Sequence, residues 1–225
     1  MIYSIICSRR DRPPINFNKV LTYFQRAGIK WHVEYDPPGI FEGYEKALSK
    51  LELDQNDIVI LCHDDIQIFN DPLDFSALLT KELSNTSVGF VGPAGTTYLD
   101  NNAVWWDAAN RSKGLHRGFV FQGSDPNTMT PNYFGPHGNV VVLDGLFLAA
   151  RKFTLDLVGI KKPGAFKNGW DFYDLVYTVT AYEEGLFNKT IPIILTHYSN
   201  GEMRSTWNEN RIEFMKMFRF PIRCK

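Results

Sequence analysis

Apolar and polar positions alternate in blocks from the first residues onward. IYSIIC (2–7) is a short, unbroken apolar run rich in β-branched residues, the pattern of a buried strand. Between Ile15 and Ala27 the apolar positions Phe17, Val20, Leu21 and Phe24 recur at helical spacing, and Gly28 supplies a stop. WHVEY within 30–35 predicts a second strand, closed by the turn Asp36-Pro37-Pro38-Gly39. Ile40, Tyr44, Ala47, Leu48 and Leu51 predict a second helix over 40–51, and NDIVILCHDD is a buried strand that runs straight into acids. A β-α-β-α-β order predicts an α/β fold with a mostly parallel sheet flanked by helices, whose ligand crevice lies at the carboxyl ends of the strands.

Farther along, 74–83 reads as a third helix and VGFVGPAG (88–95) as a strand ending in glycines. Residues 98–139 carry Gly, Asn, Pro, His and aromatics with weak periodicity, predicting long loops with a short hairpin at FVFQG. A stretch of this length without elements of its own is usually functional. NVVVLDGLFLAARK reads as one strand containing Asp144 and Gly145. Residues 171–185 read as a helix, IPIILTHYSNG as a last strand reaching His197, and 203–219 as an amphipathic terminal helix. With no repeat, low-complexity segment or linker, the expectation is one domain over 1–225.

Composition narrows the function class. At 44% hydrophobic residues the chain has enough apolar surface to offset the entropy of ordering, which argues against disorder. Lys and Arg number 24 against 25 Asp and Glu, so no positive excess exists to neutralise nucleic-acid phosphates. Three cysteines without a C-x-x-C offer neither a disulfide framework nor a zinc site, which fits a reducing compartment. No apolar run approaches a membrane span, and MIYSIICSRR is too short, with its charges on the wrong side, for a signal peptide. The expectation is a soluble, cytoplasmic protein without a transmembrane segment. Its terminal RIEFMKMFRF offers basic and apolar residues to a membrane surface, but packing on the core is the simpler reading. Seventeen Phe, ten Tyr and five Trp suggest a lined cleft, although a core accounts for most of them.

Four clusters carry candidate chemistry. Asp64-Asp65 places two carboxylates at a strand end, either as hard oxygen ligands for Mg²⁺ or Mn²⁺ or as a solvated turn. His197 ends a buried strand; it is either structural or, since strand ends on one sheet edge converge, a partner of Asp65. In Trp170-Asp171-Phe172-Tyr173-Asp174 the acids either cap a helix or provide a general base. Ser8-Arg9-Arg10 after the first strand either holds a nucleotide or forms a basic turn. Neither G-x-G-x-x-G nor a P-loop follows that strand, and no G-x-S-x-G occurs.

The order of these motifs resembles the inverting glycosyltransferases of the glycosyltransferase-A (GT-A, Rossmann-like) fold, and within them the small glycosyltransferase-like relatives, over about residues 2–201. IYSIICSR resembles their nucleotide-binding first strand, and GIFEGYEKAL their second helix, with Glu45 where relatives usually carry Asn. IVILCHDDIQI is similar to their metal motif, VGFVGPAGT followed by Trp105 to the donor-side segment, and VVVLDGLFLAARK to the strand beside the donor sugar. YDLVYTVTAYEEG is similar to the helix whose first acid is the base, and IPIILTHYSNG to the closing strand with a metal-associated His. Val176 and Thr180 depart from the acid and the Arg usual at those positions.

The resemblance implies a cofactor, Mn²⁺ or Mg²⁺, on Asp65 and His197. It implies Ser8, Arg9, Asp36, His63 and Asp64 around the nucleotide, and Trp105, Asp144, Gly145 and Trp170 around the sugar. Asp174 is the implied base, with Asp171 as the alternative. The implied reaction moves a sugar from a nucleoside-diphosphate sugar, UDP by default, to a hydroxyl of a glycan or other acceptor with inversion. The alternatives are a nucleotide-sugar-binding module without catalysis, and a nucleotidyltransferase or phosphatase using the same acids.

Overall fold

The computed structural model describes residues 1–14, 16–125, 128–199 and 205–224. β1 (Ile2–Ser8) is buried over all but its first residue. α1 (Phe17–Arg26) buries Phe17, Val20, Tyr23 and Phe24, and Gly28 at φ +67 turns the chain out of it. The expected helix start at Ile15 lies outside the described residues. β2 (Lys30–Tyr35) and α2 (Ile40–Leu48) follow, the helix ending before the expected Leu51. β3 (Ile58–Cys62) is wholly buried. The short β4 (Ile66–Ile68) comes next, then α3 (Pro72–Leu83). α3 starts earlier than the apolar spacing suggests because Asp71 caps it, accepting from the N–H groups of Leu73 and Asp74.

The strand expected over 88–95 divides into β5 (Val88–Gly92) and β6 (Ala94–Thr96), which pair in different sheets around Pro93. The region expected to be loops is organised more fully: it contains β7 (Tyr98–Leu99), α4 (Ala108–Ser112), β8 (His116–Gln122) and β9 (Thr130–Gly135). β8 and β9 form the antiparallel pair hinted at by FVFQG. The segment expected as one strand is three: β10 (Asn139–Val140), β11 (Val142–Leu143) and β12 (Phe147–Arg151). It breaks because β10 and β11 pair in different sheets and Asp144 N–H turns to the Ala94 carbonyl. α5 (Lys152–Val158) follows β12 directly, and no side-chain cap marks its start in the sequence. α6 (Tyr173–Glu183) then leads to β13 (Phe187–Thr190) and β14 (Leu195–His197), separated by Ile191–Ile194, where Pro192 lacks the N–H a strand needs. α7 (Trp207–Met217) and β15 (Ile222–Arg223) complete the chain. The parts of the expected last strand and terminal helix that fall on 200–204 lie outside the described residues.

The central sheet runs β10-β13-β5-β12-β3-β1-β2. β1 pairs in parallel with β2 and β3, and β13 with β5; β12 lies antiparallel to both β3 and β5. β1, β2, β3, β5 and β13 therefore point one way, as the β-α alternation predicts. The two exceptions are the edge strand β10, antiparallel to β13, and β12, which brings its amino end to the edge where β1 and β3 bring their carboxyl ends. A second sheet, β11-β6-β8-β14-β4 with β9 on β8, packs beside it. Much of the aromatic excess is core: Tyr44, Tyr177, Phe24, Phe41, Phe75, Phe90, Phe147 and Phe214 are fully buried.

Candidate active site

A cavity of about 790 Å³ opens at this shared edge. His63, Asp64 and Asp65 enter it from the end of β3, Asp144 and Gly145 from the start of β12, Tyr173 and Asp174 from the start of α6, and His197 from the end of β14. Hydrogen bonding explains the convergence. The His63 N–H donates to the Leu146 carbonyl at 3.0 Å, joining the β3 exit to the β12 entry. His197 pairs with Ile66 across β14 and β4, and the Tyr198 N–H donates to the Asp65 carbonyl at 2.8 Å. His197 therefore meets Asp65 through the second sheet, not through the central one.

His63 Nδ1 lies 3.2 Å from His197 Nε2, and Asp65 Oδ1 lies 3.3 Å from His197 Nε2 and 3.7 Å from His63 Nδ1. Asp65 Oδ1 is buried and faces the two imidazoles, its closest partner being His197 Nε2 in a contact short of ideal hydrogen-bond geometry. One ligand atom from each of the three residues falls within 4.8 Å of the others, a set that fits a divalent cation. Two nitrogens and one carboxylate suit Mn²⁺ better than Mg²⁺, which prefers an all-oxygen shell. Burial works against charge on Asp65, but His197 and His63 outweigh it and its pKa falls below the ordinary value. Burial likewise opposes charge on His197, yet Asp65 raises its pKa above the ordinary value. His63 Nε2 meets Tyr173 Oη at 2.6 Å, so a phenol fixes the far side of its ring.

Asp64 turns the other way and accepts from Ser8 Oγ at 2.6 Å; burial raises its pKa despite that bond. Arg9 lies exposed beside them and its charge lowers the Asp64 pKa. Asp36, at φ +52 after β2, accepts from the Arg10 N–H at 3.0 Å and does not line the cavity. Asp174 Oδ2 accepts from the Gly145 N–H at 3.2 Å. Burial, reinforced by the charge of Asp144, pushes its pKa up to about 7. Burial also raises Asp144, whose Oδ1 accepts from the Leu146 N–H at 3.2 Å. Asp171 is 7% exposed and its Oδ2 accepts from Asn168 Nδ2 at 2.8 Å, which ties it to the loop before α6.

Residues 36–217 match the glycosyltransferase-like family. The chain belongs to that family. No curated protein matches it significantly. Among solved structures, A197 from STIV aligns with a TM-score of 0.51 at 15% identity, over 88% of this chain and 86% of that one. GalNAc-T7, solved with UDP, GalNAc and Mn²⁺, aligns with a TM-score of 0.54 at 11% identity, over 91% of this chain and 45% of that one. At these identities the likeness is one of fold, and the fold is GT-A.

Within this glycosyltransferase-like chain the tryptophans divide into two kinds. Trp105 is 4% exposed and packs against His116 and Phe134 at 5.9 and 5.7 Å, so it backs the cavity wall. Trp170 lies on the lining, its N–H donating to Asn168 Oδ1 at 2.8 Å. Trp106 and Trp207 also line the cavity, and sequence reasoning did not single them out. Trp106 stands next to Trp105 and Trp207 opens α7, positions without a motif to mark them. The sequence places His63 near the nucleotide; in the structure it stands beside Asp65 and His197 instead, because its N–H is drawn to Leu146 where β3 meets β12. Tyr173 was visible only as the residue before Asp174. Gly145 is demanded by packing: a Cβ there would sit 2.3 Å from Tyr173 Oη. No helix among the described residues is long and apolar enough to cross a membrane.

Proposed function

We propose that this protein is a metal-dependent glycosyltransferase of hexosyl type, moving a sugar from a nucleoside-diphosphate sugar, UDP by default, to an acceptor hydroxyl with inversion. The observation that carries the reading is a single cavity holding both the His63, Asp65 and His197 cluster and a carboxyl, Asp174, whose pKa is raised to about 7. A carboxylate of that basicity is tuned to accept a proton near neutral pH.

Asp65, His197 and His63 would hold the cation, which when bound neutralises charge on the departing diphosphate. Asp64, oriented by Ser8 Oγ, presents its carboxylate to the nucleotide side, and Arg9 adds a positive charge there. Asp144 and Gly145 border the sugar, with Trp170 on the same lining. Asp174 takes the acceptor hydroxyl proton as that oxygen bonds to the anomeric carbon and the carbon–phosphate oxygen bond breaks. Attack opposite to the leaving group inverts the configuration. Asp171, held by Asn168, serves in this reading to shape the loop that presents Asp174.

The test is turnover of a nucleotide-sugar panel with Mn²⁺ in the presence of mixed acceptors. Transfer that disappears on chelation supports the reading; the absence of both UDP binding and turnover overturns it. The alternative of a binding module without catalysis draws on Val176, a buried apolar residue where relatives carry an acid. UDP binding without any turnover of the donor would favour that alternative.

A further inference from the structure

The lining of the cavity has two chemistries. One part carries the histidines and the acids. Another part is rich in aromatic rings, and within it Trp106 and Trp207 are unlike Trp105. Trp106 is 42% exposed. It stands edge-on to Trp105 at 6.0 Å and to Trp207 at 6.3 Å, and the Trp106–Trp207 planes are inclined at 60°. Trp207 rests on Phe172 at 5.0 Å. Phe172 has φ +69 and immediately precedes Tyr173 and Asp174, so this wedge of two indoles is built onto the segment that presents the base.

We propose that Trp106 and Trp207 form the acceptor subsite, and that its ligand is a neutral pyranoside of a glycan. This rests on the glycosyltransferase reading above. An indole kept substantially open to solvent gives up hydrophobic burial and offers a flat apolar face, which matches the C–H face of a pyranose. The polar groups on the same lining include the amides of Gln122 and Asn132, uncharged partners for sugar hydroxyls. Arg111, the guanidinium of this lining, lies over the Phe134 ring at 4.9 Å and donates to the Tyr133 carbonyl at 3.1 Å. Against this guanidinium the lining sets Asp64, Asp65, Asp144, Asp171 and Asp174, a balance that favours a neutral acceptor over an anionic one. An acceptor hydroxyl seated on this wedge shares the cavity with Asp174, the group that would take its proton.

The experiment titrates the protein, saturated with UDP and Mn²⁺, with neutral disaccharides (cellobiose, lactose, maltose and chitobiose), a serine-rich peptide and a polyprenyl phosphate in detergent. Binding is followed by tryptophan fluorescence and by ligand-observed NMR. The expected result is binding of at least one disaccharide, weakened about tenfold in Trp106→Ala and partly restored in Trp106→Phe. Calorimetric affinity for UDP with Mn²⁺, measured on the same variants, is expected to hold, which shows that the fold and donor side remain intact. Trp207→Phe, which keeps a ring against Phe172, provides the second variant and is also expected to weaken disaccharide binding. Equal disaccharide affinity in wild type and Trp106→Ala overturns the proposal. So does binding of the peptide or the prenyl phosphate with no disaccharide, and so does no binding of any probe. UDP binding without saccharide binding overturns the acceptor assignment alone; failure of wild type to bind UDP overturns the parent reading and this assignment with it.

Discussion

At the residue scale, the proposed reaction rests most on Asp174. Its carboxyl is raised from an ordinary value of 3.8 to about 7, first by burial and then by Asp144. As a base it must be ionised, so kcat/KM is expected to rise with pH through about 7, and a profile flat from pH 5 to 9 would remove it from that role. Asp174→Asn is expected to keep UDP affinity and lower transfer by roughly 10²–10⁴-fold, the usual contribution of a general base. The same shift has a stability consequence. An acid whose folded pKa is raised contributes stability that is complete below 3.8 and lost as pH rises through about 7. Thermal melts of Asp174→Asn should therefore show a gain over wild type at pH 8 that shrinks toward pH 4. Tyr173 acts one residue away: its hydroxyl at 2.6 Å from His63 Nε2 fixes the ring that turns Nδ1 toward Asp65 and His197. Tyr173→Phe is expected to weaken Mn²⁺ affinity about 10–100-fold, as losses of outer partners do, read directly by Mn²⁺ electron paramagnetic resonance without turnover.

Short connections matter more than long elements at the next scale. α6 begins from Phe172 in a left-handed conformation, a strained start for a bulky residue that costs roughly 1–3 kcal/mol. Its neighbours offset that strain. Asn168 caps the loop by accepting from the N–H groups of Trp170 and Asp171, and its side-chain amide donates to Thr206 and Asp171. α7 joins in through Asn210, fully buried, which accepts from the Lys167 N–H at 2.8 Å and donates to the Asn168 carbonyl at 3.2 Å. Asn210→Ala would remove both hydrogen bonds to the part-buried Lys167 N–H and Asn168 carbonyl, a loss of about 1–3 kcal/mol at roughly 0.5–1.5 kcal/mol each. Denaturant titration should register that loss, and kcat should fall with it because that loop leads directly into the first turn of α6, where Asp174 lies. An Asn210→Ala variant of unchanged stability would show that α7 does not hold the loop.

For the whole molecule, donor and cation binding should be linked to folding. A ligand at about 100 times its Kd stabilises the native state by about 2.7 kcal/mol, which for a chain of this size is a rise in Tm of several degrees. UDP with Mn²⁺ should raise the melting temperature and chelation should reverse the rise, while Asp65→Ala should show neither effect. The molecule's near-neutral charge, 24 basic against 25 acidic residues, conceals a local pattern that bears on this linkage. The acids Asp64, Asp65, Asp144 and Asp174 gather around one cavity, where the proposed cation would relieve their mutual repulsion.

The sequence alone determined the elements whose periodicity is local. IYSIIC, IVILC and the helix between Gly39 and Leu51 were legible because a buried strand and an amphipathic helix each need a run of apolar residues at fixed spacing, whatever surrounds them. The abrupt passage from those strands to Ser8-Arg9 and His63-Asp64-Asp65 is legible too, because polar residues directly after a buried run mark its exit, and His63, Asp64 and Asp65 lie on the cavity lining. Only the tertiary structure decided how the later segments divide. Asp144 and Gly145 look like the middle of a strand until β10 and β11 are seen to pair in different sheets. Residues 98–139 look like loops because β7 has two residues and pairs with the distant β15, and because Gly, Pro and Asn within β8 and β9 interrupt the apolar alternation of that antiparallel pair. His197 reaches Asp65, and His63 reaches Tyr173, through contacts spanning more than a hundred residues. Local propensity carries no information about such pairings; they are set when the antiparallel β12 enters between β3 and β5 and when the second sheet folds over the open edge.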